Sequence, residues 1–285
     1  MNPPDMNPLP PEGRVESEGA AAAVQAPALP YAEFPEDLRV PWNWGDLGYF
    51  LLVALAAFFA VGWSVLFAYR LFGVNPLQAG GSNGERAIFF LVNQTALDVV
   101  LMLYLFAHIR YQLGAPFWRT LGWRPLPASG IPRPAFYSLC LAAGSSLALM
   151  VTVTSNLIGK HTKLPIESLL TERRSTILFL LMSVLLAPLV EETLFRGYLY
   201  PVLARTFRVP GGIVITGVLF GLLHAAQLWG GWGQIALLIL VGILFTWARA
   251  ASRTVFVSYL LHFGYNGFLF LGFMIGTGGF RNLPH

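Results

Sequence analysis

The sequence predicts an all-α fold: a polytopic membrane helical bundle of about seven transmembrane helices, with six to eight the range its apolar runs allow. Three observations predict it. Hydrophobic residues make up 55% of the chain and charged residues only 11%, whereas about a quarter of a soluble domain is charged. The mean hydropathy is +0.61. Uncharged stretches long enough to cross about 30 Å of hydrocarbon, which takes roughly 20 helical residues, recur along most of the chain.

Residues 1–46 stand apart, being rich in proline, holding eight of the chain's 14 acids, and carrying few large apolar residues before Trp42. Such a composition predicts a disordered acidic tail. The first apolar run, 47–69, starts too late and is too long for the core of a cleavable signal peptide, so it is expected to stay as a span. Runs at 87–107, with the single acid Asp98, and at 135–158 complete an amino-terminal membrane region over 47–174. A fourth run begins near Ser175 and ends in two adjacent glutamates. Between 209 and 248 only His224 is ionisable, and the GGWG at 230–233 divides this stretch into a hairpin of two helices. A last run over 254–275 closes a core region of 175–276 and leaves a short tail at 277–285.

Several classes are excluded. The one cysteine, Cys140, rules out an internal disulfide and a cysteine metal cluster. The net charge of +4 comes mostly from loop arginines, with no basic helix to hold nucleic acid. Sixteen arginines against two lysines fit a GC-rich genome, and the expected location is a bacterial cell membrane. No internal repeat is present, which argues against a transporter built from duplicated halves.

The glutamates pose the functional question. An acid facing lipid at mid-bilayer costs about 2.5 to 3.5 kcal/mol on insertion scales, so Glu191 and Glu192 must face protein or water. At about 100° per helical residue the two point in different directions. Arg196 lies four residues after Glu192, the spacing of an intrahelical ion pair, while Glu191 has no such partner. Pro188, one turn earlier, predicts a kink, and Pro201 an end to the helix. The bland alternative is a helix emerging into the headgroup zone with its charges solvated.

Two further clusters weigh against that alternative. In GVLFGLLHAAQ, His224 follows Phe220 by four residues, and Gly217, Gly221 and Ala225 form a small-residue ridge for a neighbouring helix. In VSYLLHFGYNGF, Ser258, His262 and Asn266 recur at i+4 as one polar stripe. A lone membrane histidine or acid is more often structural, and Asp98 and His108 are read that way. Polar groups converging from three spans instead predict an intramembrane functional site.

EETLFR as EExxxR, FGLLH as FxxxH and HFGYN as HxxxN, in that order on successive apolar segments, resemble the motifs of the CPBP family of intramembrane proteases, also called the CAAX prenyl protease type 2 or Abi family. The resemblance covers about 175–275. It implies an intramembrane endopeptidase acting on a membrane-associated protein or peptide. By that resemblance, Glu191 with His224 activates water, His262 and Asn266 stabilise the oxyanion, and Glu192, Arg196 and Phe220 support the site. Amide hydrolysis needs such a base, acid and donors.

Zinc held by His224, His262 and Glu191 is possible, but no metal is favoured: HExxH is absent, no motif carboxylate stands free to orient a histidine, and Asn266 is a poor zinc ligand. The competing classes are a non-catalytic membrane scaffold or immunity protein, which need not keep Glu191, and a transporter.

Overall fold

The computed structural model describes residues 34–78, 82–126, 131–158 and 164–283. Most of the predicted tail, residues 1–33, lies outside them. The long helices are α1 (Trp44–Leu71), α2 (Asn83–Ala107, extended by a π-helical turn His108–Gln112), α4 (Arg133–Ile158), α5 (Arg173–Leu185), α7 (Tyr200–Leu223), α8 (Trp232–Ser252) and α9 (Val255–Gly276). The short α3 (Phe117–Thr120) lies between α2 and α4. Between α5 and α7 come α6 (Ala187–Glu191) and a π-helix, Glu192–Leu199.

Among the described residues six helical stretches are long and apolar enough to cross a membrane, and one of them, Arg173–Leu223, has 51 residues. At 1.5 Å per residue a straight helix of that length would be about 77 Å long, more than twice the hydrocarbon thickness. It does not run straight. The backbone is non-helical at Phe207 and Arg208, where Arg208 takes a φ of +62°. The chain folds back there so tightly that a Cβ on Gly212 would lie 2.7 Å from the Ala204 backbone. The integral multi-pass bundle therefore gains a pass at Arg208. Pro201, by contrast, ends nothing: it sits in the first turn of α7, where a missing N–H is tolerated. Pro188 behaves as expected, with α5 and α6 separated at Leu186.

Lipid-facing surface is supplied by side chains such as Leu52, Trp63 and Phe67 of α1, each well over half exposed. Without water's hydrophobic drive between them, membrane helices associate through close packing. Added Cβ atoms on Gly144 of α4 and Gly264 of α9 would overlap the carbonyls of Leu261 and Leu141 respectively. The predicted ridge meets α8: Gly217 packs on Ile243 and Gly221 on Ile239.

The boundary expected at residue 46 is corrected by the ordered strap that precedes α1. Leu38, Val40 and Trp42 are buried, and Arg249 Nη1 binds the Asp37 carboxylate at 2.8 Å with both side chains nearly inaccessible. Arg124 reaches Glu36 at 3.0 Å, and the Trp44 indole donates to Thr206 Oγ1 at 2.8 Å. The acidic composition that reads as a solvated tail instead supplies counter-charges to arginines of the bundle. At the other end, the described part of the short tail folds back, with Phe280 buried against Phe270 and Phe273.

Asp37→Ala leaves the Arg249 guanidinium buried without its partner, so thermal unfolding in detergent should show a loss of about 3 to 5 kcal/mol. Unchanged unfolding would mean that the strap does not stay docked.

Candidate active site

The two glutamates straddle a change of helix geometry, Glu191 closing α6 and Glu192 opening the π-helix. Helices bonded i to i+5 are rare and concentrate at functional sites. This one is gripped from outside its own segment. The Trp123 indole donates to Thr193 Oγ1 at 3.1 Å near its start, and the Trp42 indole donates to the Tyr198 carbonyl at 2.9 Å near its end. Between them Gly197 lets the Leu121 carbonyl approach to 2.9 Å of where a Cβ would stand.

Glu192 and Arg196 form the predicted pair at 2.9 Å, and both are wholly buried. The arginine's other donors are also used: Nη2 to the Gly242 carbonyl at 3.0 Å and Nε to Thr246 Oγ1 at 3.2 Å. Its Cζ lies 4.4 Å from the Phe220 ring centre, a cation–π contact in a water-excluded place. Phe220 also packs 5.0 Å from the His224 ring and 5.9 Å from the His262 ring. The phenylalanine of FxxxH thus touches the Arg196 guanidinium and both histidine rings at once.

The histidines are oriented by their second nitrogens. His224 Nδ1 lies 2.9 Å from the Phe220 carbonyl, which only accepts, so Nδ1 carries the proton. His262 Nδ1 lies 2.9 Å from Glu192 Oε1, the oxygen that also accepts from Arg196, and donates to it. The expectation that no motif carboxylate orients a histidine is therefore overturned: Glu192 does so. Both Nε2 atoms then face Glu191, His224 at 3.7 Å from Oε1 and His262 at 3.8 Å from Oε2. These separations exceed a direct hydrogen bond. Side-chain exposure divides the cluster: Glu191 and His224 keep 22% and 20%, whereas His262 keeps 5% and Glu192 and Arg196 none. Glu191 and His224 lie on the open side, with His262, Glu192 and Arg196 behind them.

Asn266 Nδ2 donates to the Ser183 carbonyl at 2.7 Å, which ties α9 to the end of α5 and leaves its second N–H for another acceptor. The structure brings Glu191, Glu192, Arg196, Phe220, His224 and His262 into one contact set. Asn266 joins it through α9, and Ser258, also on the predicted stripe, is spent on the Val255 carbonyl at 3.0 Å. His108 lies in a separate cluster, with Nδ1 on Gln112 at 2.7 Å and Nε2 at 3.3 Å from Asp46. Trp42, Trp123, Gly242 and Thr246 escape sequence reasoning, since none bears charge and none recurs at a motif spacing.

The donor atoms of His224, His262 and Glu191 have the chemistry zinc prefers. Among the described residues, however, no group of three or more His, Cys, Asp or Glu side chains is placed to share one cation.

Buried, mutually oriented Glu, His and Arg side chains inside an apolar helical bundle mark an intramembrane site, and comparison with known proteins gives its class. The family described as type II CAAX prenyl endopeptidase Rce1-like matches residues 173–268. An uncharacterized 24.3 kDa protein of Escherichia coli is 30% identical over 221 residues, 75% of this chain and 90% of that protein. No solved structure matches. The chain belongs to the Rce1-like family and is an intramembrane protease of the CAAX type.

Arg196→Ala strands Glu192 in a fully buried position, and the melting transition in detergent should show a loss of about 3 to 5 kcal/mol. Arg196→Lys should recover only part of it, because an ammonium cannot reach Glu192, Gly242 and Thr246 together.

Proposed function

We propose that the protein hydrolyses a peptide bond in a membrane-associated protein or peptide, with Glu191 as the general base. What carries this reading is the convergence of two Nε2 lone pairs on the partly exposed Glu191 carboxylate. With both Nδ1 atoms bonded away, three acceptor groups face one another at 3.7 and 3.8 Å. A water between them relieves this arrangement by donating to Glu191 and to a histidine, keeping its own lone pairs for attack.

In this mechanism Glu191 takes the water proton as oxygen attacks the carbonyl carbon, and His224 holds the water and shares the proton. The tetrahedral oxyanion needs donors. Asn266 offers its free N–H. His262 adds a second donor from Nε2 once that nitrogen has accepted a proton. Collapse of the intermediate returns the proton from Glu191 to the leaving amine. Glu192, Arg196 and Phe220 hold these groups in place and need not touch substrate.

The reading is metal-free. Its support is the side-chain placement, which among the described residues offers no shared three-residue cradle. Elemental analysis of active protein tests this. Turnover without stoichiometric zinc is expected, and activity that is lost with zinc on chelation and restored with it would overturn the metal-free mechanism.

Glu191→Gln keeps shape and hydrogen bonding but removes the base. Purified in a folded, membrane-inserted form, it should lose turnover of an established peptide substrate by a thousandfold or more, on the order of what removing an essential base costs. Near-normal turnover would sink the glutamate mechanism.

A further inference from the structure

Asp98 is an acid in the middle of α2, buried to 9% exposure. Its one partner is neutral: Gln94 Nε2 donates to Oδ1 at 2.8 Å. Among the described residues it takes part in no ion pair: the pairs formed use Glu36, Asp37, Asp46, Glu191 and Glu192. A buried carboxylate in a membrane span without a counter-charge is costly and marks a functional position by default.

Its place follows from the register of two helices. The Gly84 N–H binds Glu172 Oε1 at 2.9 Å, a sequence offset of 88. Thr95 Oγ1 lies 3.6 Å from Met182 Sδ, an offset of 87. With the offset constant, α2 and α5 run side by side in the same direction. Asp98 follows Thr95 by three residues, so it shares the face turned to α5 and stands level with residues 185–186, where that helix breaks. At nearly the same level Asn266 reaches across from α9 to the Ser183 carbonyl. Asp98 also lies within electrostatic reach of Glu191. The break before Pro188 is thus flanked by Asn266 on one side and Asp98 on the other, with the base one short helix further along.

We propose that Asp98 is a specificity-determining residue that receives the cationic head of a basic substrate side chain close to the scissile bond; this rests on the proteolytic reading above. Charge favours such a ligand. Glu192 is balanced by Arg196 and Glu191 is faced by two histidines, whereas Asp98 has only the neutral Gln94 beside it. In poorly solvated surroundings an ammonium or guanidinium from the substrate completes the balance, and neutral or acidic residues at that place leave it unpaired. Discrimination by an unsatisfied buried group is stronger than discrimination by size alone.

The test uses full-length protein carrying Glu191→Gln, so that cleavage does not intrude, in nanodiscs. Binding is measured for membrane-anchored peptides identical except for Lys, norleucine or Glu at positions around a fixed central bond. Asp98 intact should prefer one of the Lys peptides over its norleucine counterpart by about tenfold or more. Adding Asp98→Asn should collapse that ratio to about one, and Asp98→Lys should shift preference to the Glu peptide. A ratio near one with Asp98 intact, or one that survives Asp98→Asn, overturns the proposal. The first of those readings needs no variant at position 98, so it holds even if the variants fail to fold. Cleavage of the same peptides by the wild-type chain is read separately: charge-selective binding without hydrolysis would sink the protease reading and leave the cation site standing.

Discussion

The buried Glu192–Arg196 pair is the constraint around which the bundle is arranged. Two opposite charges removed from both water and lipid are costly unless other groups compensate them. Three other helices contribute, although Glu192 Oε2 is left without a hydrogen-bond partner. α8 supplies the Gly242 carbonyl and Thr246, α7 supplies the Phe220 ring, and α9 supplies His262. Gly242 shows what this requires of the backbone: an added Cβ there would stand 2.7 Å from the Gly217 carbonyl. The small residues between α7 and α8 therefore serve the ion pair as well as the packing. A single buried salt bridge fixes the orientation of the histidine that faces Glu191.

The site is consequently layered by accessibility. Phe220 and Phe245 enclose Arg196 and His262, while Glu191 and His224 form the margin that water can reach. In a low-dielectric setting this ordering matters, because every fixed dipole behind Glu191 acts more strongly than it would in water. Adjacent on the helix, the two glutamates point in different directions. Glu191 lies on the partly exposed side and Glu192 is wholly buried.

The sequence makes the charges legible because the solvent is apolar. An acid or histidine in a run that must cross hydrocarbon stands out, and Glu191, Glu192, Arg196, His224, His262 and Asn266 all announce themselves by cost and spacing. The fold class follows from the same runs. What stays hidden is held by neutral groups. Nothing about Trp42 or Trp123 marks them as grips on residues 156 and 70 positions away, and no residue pattern encodes a π-helix. The strap at 36–42 misleads for a physical reason: its acids resemble those of a solvated tail until the partner arginines, far along the chain, are brought to them. Gly212 and Arg208 are similar, since the reversal there depends on a positive φ at a residue whose type gives no warning.

The strap also sets an order of events during biogenesis. Asp37 is among the first described residues to leave the ribosome, yet its partner Arg249 follows 212 positions later, and the Tyr198 carbonyl that Trp42 caps follows after 156. Neither contact can form until most of the spans have been made and inserted. Through that interval the strap is undocked, and the π-helix between the glutamates and Tyr198 lacks one of its two grips. A half-synthesised chain therefore does not assemble the hydrolytic centre, and the strap closes over the bundle as one of the last steps of its maturation.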